Sequence, residues 1–174
     1  MYETKDSESN AAKYATTVER KSERELIVTR TFNGPARIVF DAWTKPELLQ
    51  RWWVPKSCGA SFLSCETDAR TGGKYRFVFS HASSEQPMAF FGRYVEVIPH
   101  SRLVWTNDEG EEGAITTVTF EERGDETLVT MHDLYPSTKA LDDAIASGST
   151  SGSGESFEQL DQLLVNLQAS VGRS

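Results

Sequence analysis

Between residues 57 and 134 the chain carries six successive segments of strand composition, at about 57–69, 73–80, 88–98, 101–107, 114–122 and 126–134, with only short connections between them. Parallel strands need crossovers of a dozen residues or more, so these segments are confined to an antiparallel meander. Turn signals fall between them at Thr71-Gly72-Gly73, Pro99-His100, Glu111-Glu112-Gly113 and Gly124-Asp125. The paired glycines before Lys74 permit the positive φ that a tight hairpin needs. A sheet of this size must bury one face, and the remaining chain has to supply the cover.

That cover is helical. A further strand opens at Glu25, where Leu26, Val28 and Arg30 alternate with Ile27, Thr29 and Thr31 up to Phe32 and the turn at Asn33-Gly34. Pro35 suits the first turn of a helix carrying Ile38, Val39, Ala42 and Trp43. Pro46 starts a second helix with Leu48, Leu49, Trp52 and Trp53, and Pro55 stops it. After Tyr135-Pro136, Leu141, Ala144 and Ile145 mark a short helix, and residues 147–154 form a Ser/Gly break. Phe157, Leu160, Leu163, Leu164 and Leu167 then recur at helical spacing over 155–169, with Ser156 and Gln159, or Ser153 and Ser156, suited to cap the first turn. The order predicts an α+β helix-grip architecture: a curved antiparallel sheet around a long C-terminal helix, with two short helices after the first strand. Residues 24–170 form the domain; residues 1–23, polar and without apolar period, read as a flexible extension, and 171–174 as a tail.

Charge and motif content narrow the chemistry. The 18 basic residues are outnumbered by 26 acidic ones, and the resulting net charge of −8 opposes the phosphate attraction behind nucleic-acid binding. No apolar window is long enough for a membrane span, and the opening residues lack the apolar core of a secretion signal, so a cytoplasmic protein is expected. Cys58 and Cys65 lie about 20 Å apart if the chain between them is extended, too far for a disulfide. His81, His100 and His132 are scattered outside any metal-ligand spacing, so neither metal nor cofactor is expected. The glycines at 148–154 lack the lysine of a phosphate loop and the serine of a nucleophile elbow, and the segment reads as a lid.

Glu66 and Asp68, two apart on a strand, share a face and form either an acid/base pair or a carboxylate row matched by Arg70, Arg76 and Arg93. His132 shares a face with Leu128 and Thr130 and offers a hydrogen-bonding group to a ligand or to the core.

The stretches TRTFNGPARIVFDAWTKPELLQRWWVPK, CETDARTGGKYRFVF, FFGRYVEVIPHSRLVWTN and TTVTFEERGDETLVTMHDLYPS resemble the SRPBCC (START-like) superfamily. The nearest branch is the C-terminal domain of activators of the heat-shock protein 90 ATPase. The most specific elements are Trp52-Trp53, Glu66-x-Asp68 leading to Gly72-Gly73, and Arg102-Leu103-Val104-Trp105, and the resemblance spans about residues 24–170. It implies a helix-grip fold with a hydrophobic cavity, in a superfamily that includes lipid carriers, cyclases, hydrolases and co-chaperone domains. The leading expectation is a noncatalytic binder of a small hydrophobic ligand held between sheet and C-terminal helix. Its expected contacts are Trp52, Trp53, Tyr75, Phe77, Trp105, His132, Phe157 and Leu164, with Glu66 and Asp68 as polar cavity groups. The alternatives are a module docking on a chaperone or other protein, and a cyclase- or hydrolase-like enzyme using Glu66, Asp68 or His132. Apolar residues on both phases of several strands also leave a homodimer open.

Overall fold

The computed structural model describes residues 15–81, 84–108, 113–146 and 153–171. Eight antiparallel strands form one sheet: β1 (Thr17–Arg20), β2 (Glu25–Phe32), β3 (Ala60–Thr67), β4 (Lys74–His81), β5 (Ser84–Ile98), β6 (Arg102–Thr106), β7 (Ile115–Arg123) and β8 (Glu126–Leu134). Their order across the sheet is β1-β2-β8-β7-β6-β5-β4-β3, so the six segments pair as the expected meander and β2 closes onto its last strand. The helices are α1 (Ala36–Thr44), α2 (Pro46–Trp52), α3 (Thr138–Ala146) and α4 (Ser153–Val171), with a 3-10 turn at Lys56–Cys58. This is the helix-grip architecture.

Two features depart from the sequence reading. Thr17–Arg20, assigned to the flexible extension, form an edge strand in register with β2 from Thr17↔Thr29 to Arg20↔Leu26. All four side chains are exposed; main-chain pairing with β2 and an Arg20–Asp142 ion pair at 2.7 Å hold the strand, which leaves no apolar alternation to read. Pro35 occupies the N-cap of α1, one residue earlier than expected, and its carbonyl accepts the N–H groups of Ile38 and Val39. Residues 1–14, 172–174 and the 147–152 portion of the expected lid lie outside the described residues.

Prolines and glycines set the corners. Lys45 alone separates α1 from α2; at φ −86° and ψ 124° it is extended, as the residue before a proline must be. Gly72 has φ +87°, and a Cβ on Gly73 would collide with the carbonyl of Asp68. The turn before β4 therefore needs both glycines.

Helix α4 packs on α1, α2 and β2. Phe157, Leu160, Leu163 and Leu164 enter a core with Phe32, Phe40, Val118, Phe120 and Val129. Full burial of each such side chain contributes about 1.5–3 kcal/mol. One inward position of β2 is charged: Arg30, only 8% exposed, forms an ion pair with Asp161 of α4. Its Nη1 donates to Thr16 Oγ1 at 2.9 Å, and its guanidinium lies 5.7 Å from the centroid of the Phe32 ring. Burial holds the Asp161 carboxyl above its ordinary range despite the cation beside it. The pair therefore costs desolvation, and what it specifies is the seat of α4 on β2. Asp161→Ala should lower unfolding free energy in urea by about 2–3 kcal/mol, because Arg30 is left buried without its counter-charge, and adding Arg30→Met should recover most of the loss. A double variant as unstable as the single one would contradict this account.

Candidate functional site

The inner face of the sheet is covered along only part of its length. Toward one end, Phe120 packs against Phe40 and Trp43, and Trp43 against Phe157, in a core that also holds Leu103, Val118 and Val129. Toward the other, the inward residues of β4, β5, β6, β7 and β8 surround a cavity of about 890 Å³. Trp43, Trp53 and Trp105 stand at the seam, with ring centroids 5.9 Å apart for Trp43–Trp53, 6.2 Å for Trp43–Trp105 and 6.3 Å for Trp53–Trp105.

Helix α4 positions this wall through polar contacts. Ser156 Oγ donates to the Trp53 carbonyl at 2.9 Å, and Gln159 Nε2 donates to the carbonyls of Trp52 and Val54 at 3.0 and 2.8 Å. The Lys56 N–H donates to Gln159 Oε1 at 2.9 Å. Ser57 donates to Glu155 from both N–H and hydroxyl, at 3.2 and 2.9 Å. Ser156 and Gln159, expected as a capping pair, thus tie the end of α2 and the following loop to α4, which holds Trp53 beside the cavity.

Of the residues expected to contact a ligand, Trp53, Tyr75, Phe77 and Trp105 line the cavity. Trp52, Phe157 and Leu164 are 1–2% exposed and lie in the filled core, outside the wall. The Trp52 indole donates to the Ala42 carbonyl at 2.8 Å, which fixes the ring toward α1. His132 points away from the cavity, on the opposite phase of β8 from the wall residues Met131 and Asp133. Its Nε2 is 2.8 Å from Glu25 Oε1, and that hydrogen bond, aided by one from Ser22, lowers the Glu25 carboxyl below its ordinary range. Glu66 and Asp68 are also outside the cavity: both are exposed, Glu66 stands opposite Arg76, and Asp68 pairs with Arg70 at 2.8 Å. They belong to a separate depression of about 460 Å³ that includes Lys74, Arg76 and Phe91. Arg70, two residues on in the turn, pairs with Asp68, and the register sets Arg76 of β4 across from Glu66.

A carboxyl on the sheet side of the cavity is Asp133, which the sequence reading passed over for its neighbour. Thr116 Oγ1 donates to Asp133 Oδ1 at 2.6 Å; Asn107 Nδ2 donates to Thr116 Oγ1 at 3.2 Å and to the Ala114 carbonyl at 2.6 Å. Tyr75 donates to the Thr106 carbonyl at 2.6 Å beside them. Burial pushes the Asp133 carboxyl up, against the opposing effects of the Thr116 hydrogen bond and the His132 charge. Tyr135, two residues on, has its phenol pushed up to about 12 by burial and then by the Asp133 charge. A readable signal existed: Thr127, Val129, Met131 and Asp133 form one alternation phase, and Leu128, Thr130 and His132 form the other. Cys65, the described free cysteine, has its thiol raised to about 11, by burial first and then by Glu47 and Glu66, which keeps it protonated at neutral pH. Among the described residues no group of three or more His, Cys, Asp and Glu side chains is placed to hold a metal ion, and no helix is long and apolar enough to cross a membrane.

A curved antiparallel sheet gripping a C-terminal helix beside an apolar cavity defines a START-like domain of the SRPBCC superfamily. Residues 33–165 match the family described as Activator of Hsp90 ATPase homolog 1-like protein, and the chain belongs to that family. Similar solved structures include a protein from Nitrosomonas europaea at 24% identity and TM-score 0.77, covering 86% of this chain and 99% of its own. One from Rhodobacter sphaeroides has 22% identity and TM-score 0.79, with coverages of 87% and 99%. One from Staphylococcus epidermidis has 28% identity and TM-score 0.70, with coverages of 86% and 94%. The first two likenesses carry the fold alone. The comparison with curated proteins gave no match.

A buried acid whose pKa is raised penalises folding at pH values where it must ionise. The penalty is full above its folded pKa, fades as pH falls through that value, and vanishes below the unfolded value near 3.8. Asp133→Asn should therefore raise the melting temperature at pH 7–8, with the gain shrinking to nothing near pH 4. An equal change in stability at both ends of that range would show that the carboxyl carries no such penalty.

Proposed function

We propose that this domain binds a small, largely apolar molecule inside the cavity and does so without catalysing a reaction on it. The observation that carries this reading is the cavity of about 890 Å³, walled by Trp43, Trp53, Trp105, Tyr75, Phe77 and Phe90. Pockets for small molecules run from roughly 300 to 1,000 Å³ and combine apolar walls with a few polar groups that orient the guest. Asp133, Thr116 and Asn107 supply those groups at one end. The His132 and carboxylate arrangement on which an enzyme reading rested lies on the outer face, where His132 and Asp68 already have partners. This favours binding over acid/base catalysis.

The family description favours a second reading, docking on a chaperone or another protein. Leu63, Phe91 and Val95, 42–59% exposed, offer apolar contacts for it. The two readings separate on the cavity itself. N-phenyl-1-naphthylamine, a neutral aromatic probe, should bind and quench tryptophan emission, because three of the four tryptophans border the space. Met131→Trp, which fills the cavity from β8, should weaken that binding at least tenfold while leaving the circular dichroism spectrum unchanged. A probe that binds the filled variant as tightly as the parent would remove the cavity reading and leave the docking surface as the better account.

A further inference from the structure

The lining of the cavity has a sign. Among the described residues that border it there are two carboxyls, Asp133 and Glu155, and no lysine, arginine or histidine. A guest ending in a carboxylate or phosphate would find no counter-charge, and Asp133 would repel it.

The polar side chains around Asp133 point the same way, while the unpartnered donor in the lining is the indole Nε1 of Trp43. The Thr116 hydroxyl is spent on Asp133, and both amide hydrogens of Asn107 are spent on Thr116 and the Ala114 carbonyl. The Ser57 hydroxyl is spent on Glu155. What these groups leave toward a guest is acceptor capacity: the second oxygen of each carboxyl and the remaining lone pair of the Asn107 amide oxygen, which lies 3.4 Å from the Tyr75 hydroxyl. The phenols of Tyr94 and Tyr135, also in the lining, donate or accept according to the guest. Such an end is matched by a guest that donates, and a charged donor gains most from an acid held in a low-dielectric wall. Ammonium groups are also attracted to the faces of tryptophan and tyrosine rings, which the cavity presents in Trp43, Trp53, Trp105 and Tyr75. The net charge of −8 attracts cations toward the domain before they reach it.

We propose that the cavity selects organic amines: aromatic or alicyclic bodies carrying one ammonium group, which Asp133 accepts while the tryptophans enclose the apolar part. The proposal rests on the cavity reading above and names its ligand class. It also assigns Asp133 a cost in the empty protein that the amine relieves, so the site trades stability for recognition.

Three probes with one naphthalene body and different heads test it: 2-naphthylmethylamine, 2-naphthalenemethanol and 2-naphthylacetate, titrated calorimetrically at pH 7.5. The amine should bind at least tenfold more tightly than the alcohol, and the acetate more weakly than either. Asp133→Asn should erase the advantage of the amine and leave the affinity for the alcohol within about threefold; Glu155→Gln, in the first turn of α4, should reduce the amine by a smaller factor. Acetate binding equal to that of the amine, or an amine preference unchanged in Asp133→Asn, would overturn the selection for amines while leaving the cavity as a binding site. Failure of all three probes, together with N-phenyl-1-naphthylamine, would overturn both.

Discussion

Four tryptophans meet where the helices stop covering the sheet, and they mark the border between the core under α4 and the cavity. Trp43 packs edge-on against Trp52 with ring centroids 4.8 Å apart, and Trp52 against Trp53 at 5.3 Å. Trp105 rises from β6 to meet Trp43 and Trp53. On one side of this cluster Phe157 and Leu160 of α4 fill the space; on the other, Tyr75, Phe77 and Phe90 face a void. Two consecutive tryptophans at the end of α2 serve both halves, because successive helical positions point about 100° apart. Trp52 faces the core and Trp53 the cavity.

Polar contacts keep this division in place. The side chains of Glu155, Ser156 and Gln159 bind the backbone of residues 52–57, so the loop that carries Trp53 is fastened to α4. Arg30 and Asp161 fasten α4 to β2 further along the helix. The two attachments lie on successive turns of one helix, so a displacement of α4 would disturb the core and the cavity wall together. The outer face pairs His132 with Glu25 and places Glu66 opposite Arg76, whereas on the inner face Arg30 pairs with Asp161 and Asp133 accepts from the neutral Thr116 hydroxyl.

Much of this arrangement was legible in advance. The six meander segments, the helices after Pro35 and Pro46 and the long terminal helix all follow from period, proline and glycine, which act locally and leave marks on the chain. The edge strand β1 was not legible, because none of its side chains is buried and main-chain pairing has no residue signature. For the site, the aromatic supply was readable but its allocation was not. Trp53, Tyr75, Phe77 and Trp105 reach the cavity, whereas Trp52, Phe157 and Leu164, of the same chemical kind, are consumed by the core. Residue type records that a side chain must leave water, and says nothing of whether its neighbour will be another side chain or a void.

By itself the sequence determined the fold class, the meander of the last six strands, the corners at Pro46 and Gly72-Gly73, and the excess of acid over base. The tertiary structure alone decided which alternation phase of β8 faces inward, and so whether His132 or Asp133 belongs to the site. It also decided where helical cover ends and the cavity begins. Both are set by long-range register and by the reach of helices over a curved surface, and neither quantity is encoded within the span of a single strand or turn.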